Sequence, residues 1–508
     1  MTRDRDAQRP SLWRWIVIAA LTVVALCIPV VIWLGATAVV AAKYTKQAKS
    51  DISVAQAAAA AGDSAKATAM VPAITSSTSI AHAAVSGPAW WLAERVPLIG
   101  PSVRAITTTI SAVDQAASGA LRPLAVANGI VRTGDLRGSG GQINIPEIVE
   151  LQRPMNAAMA AMTSASTMVS GIDATKVIAP VADQVAPVVD QINELQRQVS
   201  AVAQAADILP TMLGAKADQR YFVAFTSPAE ARGGGGFLGT YGILLAHNGV
   251  LKMEHVGANT DLKDFKAPVL DLGSDYANIY SADSVQWTGM NQSAHFPFAA
   301  EQWITGWERQ TGQQLQGAIA LDPTTLSYIV GVTGPILLPD GRKLAESQVV
   351  PYLTNGIYEQ FATDNEARKQ YQVTIARDGM KTMLSSTAAP ASLGAVMAKA
   401  ASERHLMVYS TDPMVEAVLA QWPISGVVDG THGPFAMLVV NNLAGNKADF
   451  FLDRSLSYST LSCQPDTMES EITATLTNQL PRTGPLPAVV GGRLDKHAQG
   501  APARSTRV

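Results

Sequence analysis

Arg232 stands at the head of four consecutive glycines, Gly233, Gly234, Gly235 and Gly236. A guanidinium can fork onto two phosphate oxygens, and glycine lets an anion approach backbone N–H groups closely. The stretch is a candidate ligand-binding cradle for a phosphate. The residues alone favour a flexible hairpin loop carrying one solvated arginine. Gly234, Gly236 and Gly239 also spell GxGxxG, with Asp261 further on. A dinucleotide site needs a helix to open at the glycines, so that its N-terminus meets the pyrophosphate. Here the strand-like FLGTYGILLA follows, and Asn248-Gly249 is a hairpin turn. The nucleotide reading is rejected on that ground. No Walker GK[ST] and no GxSxG elbow occurs.

Metal and thiol chemistry have little to build on. Cys27 and Cys463 are the two cysteines, and the histidines form no HExxH. His247 and His255 flank the turn and could meet across a hairpin, although exposed strand histidines are common.

The elements that must position Arg232 follow from composition and periodicity. The chain has 508 residues, 47 % hydrophobic and 16 % charged, with a net charge of −3. No clustered basic face is present, which excludes nucleic acid as a partner. Residues 1–14 are polar and form a cytoplasmic tail. Residues 15–42 carry no charge and are long enough for a transmembrane helix. Arg3, Arg5, Arg9 and Arg14 precede that anchor, while Lys43, Lys46 and Lys49 follow it. This favours a cytoplasmic N-terminus with the bulk of the chain outside the cell membrane, single-pass.

Residues 43–215 are rich in alanine, with helical spacing at Val103, Ile106, Ile110, Val113 and Ala117 and at Ile192, Leu195, Val199 and Val202. Met155, Met159 and Met162 form a stripe that reads as core packing. This region is an all-α stalk or bundle. Residues 216–480 alternate strands and helices, which predicts a mixed-sheet α/β layer domain. A strand is expected at Phe435 to Asn441. Residues 481–508 read as a disordered tail.

Three blocks resemble the bacterial envelope family called domain of unknown function 4012. They are SPAEARGGGGFLGTYGILLAHNG, GAIALDPTTLSYIVGVTGPILLPDG and VVNNLAGNKADFFLDRSLSYS. The resemblance spans about Pro88 to Leu480. It implies a membrane-anchored protein on the secreted side of mostly Gram-positive bacteria, with no settled activity. The chain is also remotely similar to the LytR-CpsA-Psr proteins, which transfer glycopolymers from a polyprenyl diphosphate carrier to the cell wall. Arg232 follows a strand at the corresponding place. DNEARKQ, with Asp364, Arg368, Lys369 and Gln370, looks like that family's later Asp–Arg–Arg-Gln pattern, and Lys369 replaces the second arginine. The chain departs from the pattern in three places. Glycines replace the Arg–x–Asp motif, where Glu230 and Asp261 are the nearest acids, His295 stands where an aspartate is expected, and the C-terminal end loses strand character where family members continue.

Two readings follow. In a phosphotransferase, Arg232, Arg368 and Lys369 would grip the diphosphate of a lipid-linked sugar. Asp261 or Asp364 would hold Mg²⁺ or orient the incoming hydroxyl. In a non-catalytic envelope protein, the stalk would hold the α/β domain near the wall or a partner. DNEARKQ would then be a solvated helix face with an i, i+4 Asp–Arg pair. Convergence of Arg232 and Arg368 beside an acid separates the two.

Overall fold

The computed structural model describes residues 12–491 apart from positions 62, 134–135, 137, 139–140, 281–283, 387, 429, 431–433, 465–466 and 482–487. The chain forms two compact units. The first holds Met1–Asp135 and Pro146–Asp207, and the second holds Leu136–Ile145 and Ile208–Val508.

The first unit is helical. Its long helices are α1 (Leu12–Ala60), α2 (Val71–Val85), α3 (Gly100–Thr133), α4 (Ile145–Ser170) and α5 (Ala179–Met212), the last running past the unit's end. Its core is a seam of small residues and methionines. Ala112, Ala120, Ala158 and Ala165 pack with Met155, Met162 and Val199. The methionine stripe therefore fills a core, as its spacing predicts. Among the described residues no helix is long and apolar enough to cross a membrane. The side chains of residues 12–28, which include the first part of the expected anchor at 15–42, lie outside the described residues, as does most of the tail 1–14.

The second unit is the α/β domain. Strands β1 (Gln219–Ser227), β2 (Phe237–His247), β3 (Val250–Ala258), β4 (Gly317–Leu321) and β5 (Leu406–Ser410) make a mixed sheet in the order β3-β2-β1-β4-β5. β1 and β4 run parallel, and the other neighbours are antiparallel. Asn248 and Gly249 take positive φ, as the turn between β2 and β3 requires. β1 is buried on both faces. Phe222 stacks with Tyr241, Trp287 and Trp303, while Tyr221 and Val223 pack with Leu244, Leu321 and Leu406 on the other side.

Helices α6 (Phe296–Thr311), α7 (Pro323–Thr333), α8 (Asn365–Leu384), α9 (Pro390–Ser402) and α10 (Pro413–Leu419) complete the domain. A hairpin of β6 (Leu452–Cys463) and β7 (Met468–Asn478) follows. Two expectations change. Residues 434–443 form no strand; their polar groups bond to the loop after β1 instead. Within the supposed disordered tail, Ala488–Gly491 form a turn of helix with Val490 buried. The rest of residues 482–508 lies outside the described residues.

Trp303 is fully buried in the layer between sheet and α6. Trp303→Ala should cost about 3–5 kcal/mol. The measurement is the urea midpoint read by tryptophan fluorescence of the full chain, and an unchanged midpoint contradicts this packing.

Candidate functional site

The register of the sheet collects the chemistry at one edge. Ser227 pairs with Phe237, Thr240 with Ala258, Phe225 with Leu321, and Leu321 with Leu406. The end of β1, the start of β2, the end of β3, the end of β4 and the start of β5 therefore lie together. The carboxyl ends of parallel strands are where open α/β sheets bind ligands.

The loop after β1 is organised by a buried carboxylate, Glu230, whose side chain is 5 % exposed. Arg232 Nη2 donates to Glu230 Oε1 at 2.9 Å, and Lys447 Nζ pairs with Glu230 Oε2. Arg232 also donates from Nη1 to the carbonyls of Ala231 and Asn442, and from Nε to that of Thr288. Asp449 accepts from the Ala231 N–H and from Asn442 Nδ2. Arg232 is thus a clamp between three segments. Most of its donors are committed to protein.

The glycines serve the same packing. Gly233 N–H donates to Asn441 Oδ1, Gly234 N–H to the Asn291 carbonyl, and Gly235 N–H to the Arg232 carbonyl. A Cβ on Gly233 would fall 2.3 Å from the Gln292 carbonyl oxygen. Gly235 and Gly236 have φ of 97° and 112°. The run of glycine is required by backbone crowding and positive φ. Three of its four amides already have protein acceptors.

Across the site, Arg368 and Lys369 enter from the first turn of α8. Arg368 lies 4.7 Å from the Tyr358 ring centroid, and Lys447 sits 5.8 Å from that ring and 4.2 Å from that of Phe237. Arg232 is 5.6 Å from the same Phe237 ring. Three cations, Arg232, Lys447 and Arg368, are therefore strung along two aromatic faces. Arg368 is buried and bonds through Nη2 to Asn365 Oδ1, but its Nε has no hydrogen-bond partner. Burial pushes the Arg368 guanidinium below its ordinary range. Burial also lowers Lys369, the Arg368 charge adds to this, and the carboxylates of Glu366 and Asp261 oppose it.

Asp261 closes its own turn, accepting from Ala258 N–H. Asp364 caps α8 through Ala367 N–H, and Gln370 bonds to Glu366. The charges of Arg368 and Asp261 act on Lys369, Arg232 is linked to Arg368 only through Lys447 and the two rings, and Asp364 and Gln370 stay on the helix surface. Among the described residues no three His, Cys, Asp or Glu are grouped to hold a metal. His247 pairs with Asp218 and His255 with Tyr241, so the hairpin histidines do not pair with each other.

An apolar cavity opens against the same edge, lined by Phe225, Leu326, Ile329, Ile375, Met380 and Tyr358, among others. Tyr358 therefore faces both hydrocarbon-like space and the cations. It follows a turn of π-helix over Tyr352–Gly356, a departure that often marks functional positions.

Sequence reasoning missed Glu230 as the charge centre, and missed Lys447, Tyr358, Asp322 and His405. Lys447 lies in the third quoted block and Asp322 in the second, so their blocks were visible without their roles. Nothing in local spacing links Tyr358 to Phe237.

Residues 216–358 match the family described as Protein of unknown function (DUF4012). The match takes in the glycine loop, Asp322 and Tyr358, and is narrower than the Pro88–Leu480 resemblance. No curated protein and no solved structure matches the chain.

A Cβ on Gly239 meets nothing closer than 4.0 Å, unlike one on Gly233. Gly233→Ala should therefore lose about 1–3 kcal/mol by overpacking, and Gly239→Ala should lose much less. Equal urea midpoints for the two variants contradict the crowded-loop account.

Proposed function

We propose that this chain is a membrane-anchored, extracytoplasmic envelope protein that binds a polyprenyl phosphate or diphosphate. We propose further that it acts as a LytR-CpsA-Psr-like phosphotransferase, moving a glycopolymer from that carrier to the cell wall. One observation carries the reading: an apolar cavity shares Tyr358 with a strip of cations whose buried Arg368 lacks a partner at Nε. A hydrocarbon tail beside an anionic head is the ligand class that such a pair of environments suits.

The anchor is supported by the uncharged residues 15–42 and by Val31, Ile32 and Val39, which are exposed on α1. In this reading Arg368, Lys369 and Lys447 hold the phosphates. Arg232 keeps the loop shaped and offers its remaining donor. The cations stabilise negative charge on the leaving lipid phosphate. A second reading, a non-catalytic binding protein, is favoured by the commitment of Arg232 to four protein acceptors. It predicts lipid binding without turnover.

The test is titration of geranylgeranyl diphosphate into the full chain in detergent, read by calorimetry. Arg368→Ala should weaken binding about 10- to 100-fold, the scale of lost charge-assisted hydrogen bonds. Ala376→Phe, which fills the cavity, should weaken it comparably. Equal affinity in the wild type and both variants removes the reading. Release of prenyl phosphate from a prenyl diphosphate-linked sugar separates enzyme from binding protein.

A further inference from the structure

A second cavity lies beside the glycine loop. It is more polar than the first, with charged groups beside Met437, Leu438, Val439 and Val440. Arg232, Asp322, Glu403, Arg404, His405 and Arg454 line it. Asp322, at the end of β4, lines both cavities.

His405 Nδ1 lies 2.6 Å from Asp322 Oδ2, and the Asp322 side chain is only 4 % exposed against 32 % for His405. The other oxygen, Asp322 Oδ1, caps α7 through the N–H groups of Thr324 and Thr325. The carboxylate is therefore fixed, and the imidazole is oriented by it. Thr325 Oγ1 and Asp322 N–H both donate to the His405 carbonyl, so backbone and ring are held together. With Nδ1–H given to the carboxylate, Nε2 carries the lone pair and is the nitrogen left for a substrate. The preceding residue, Arg404, has φ of 62°, a left-handed conformation disfavoured for a non-glycine residue. Its guanidinium donates to the carbonyls of Ala294 and Gly426 and holds that backbone in place. Strain, a locked carboxylate–imidazole pair and a polar cavity coincide.

We propose that this cavity is the acceptor subsite and that His405 is the proton acceptor for a hydroxyl-bearing saccharide. The inference rests on the phosphotransferase reading above. The acceptor oxygen attacks the phosphorus attached to the sugar. A new O–P bond forms, the bond from that phosphorus to the bridging oxygen breaks, and the lipid phosphate leaves with the electron pair. The hydroxyl proton passes to His405 Nε2 and then to solvent. Asp322 is a positioning residue that holds the tautomer.

The acid–base groups around His405 fix the sign of the pH dependence. Burial of the ring lowers its pKa, but the Asp322 hydrogen bond and the charges of Asp322 and Glu403 outweigh this, and the net direction is upward. Arg404, Arg232 and Arg454 in the same cavity carry positive charge. Turnover should be low when His405 is protonated and should rise with pH, with a midpoint above the usual histidine value. Asp322→Asn should shift that midpoint down.

The experiment uses the full chain, a prenyl diphosphate-linked disaccharide as donor, and water, glycerol and chitotetraose as acceptors. Lipid binding and product release are measured in parallel. His405→Gln should leave donor affinity within about two-fold and reduce turnover by about 10²–10⁴-fold. Wild-type turnover in His405→Gln, or a flat profile between about pH 5.5 and 8.5, overturns the inference and leaves the lipid site intact. So does donor binding with no product from any acceptor. Loss of donor binding in the wild type instead removes the lipid-phosphate reading itself.

Discussion

The buried carboxylate of Glu230 is the constraint on which the rest of the site depends. A carboxylate this deep is unfavourable unless paired, and it is paired twice, with Arg232 and with Lys447. Lys447 lies 217 positions further along the chain. The pairing therefore ties the loop after β1 to a segment far along the chain. Once that tie exists, Arg232 reaches the carbonyls of Thr288 and Asn442, and Asn291 reaches the glycine carbonyls. Each of these bonds satisfies a group that burial would otherwise leave unpaired. Removing the carboxylate would strand two cations at once.

The sheet supplies the second constraint. Because β1 and β4 are parallel and their neighbours are antiparallel, five chain ends meet at one edge. Asp322 follows β4 directly and caps α7, so its position is set by a strand and a helix together. Residues as distant in sequence as Phe237, Asp322 and His405 are delivered there without long loops. The apolar and polar cavities share Asp322 because both open onto that edge.

Local physics made much of the fold legible. The Asn248-Gly249 turn and the stripe of Met155, Met159 and Met162 each carry a short-range rule. Arg232 and Arg368 were legible as cations with anion-binding potential. Their division of labour was not. Nothing in the spelling RGGGG distinguishes an open cradle from a loop whose amides are taken by Asn291 and Asn441. That difference is made by residues many positions away. The same holds for residues 434–443, where β-like spacing is overridden by side-chain bonds to the glycine loop. Tyr358 and Lys447 belong to the site only through tertiary packing, which periodicity cannot report.

The site divides into a locked half and an open half, and this decides where a ligand's charge would act. Arg232 has acceptors on three of its nitrogens, so an incoming phosphate could gain little from it without breaking bonds already made. Arg368 is different. It is held by the Tyr358 face and by Asn365, with a buried Nε left over and no carboxylate bonded to it. A buried cation in that state is unfavourable, which is why its pKa and that of Lys369 move down. An anion placed beside them would remove that penalty while disturbing no existing bond. Unsatisfied groups of this kind are expected at functional positions and rarely elsewhere. The favourable place for a phosphate is thus the α8 side of the aromatic strip, next to the apolar cavity, with the glycine loop acting as its wall.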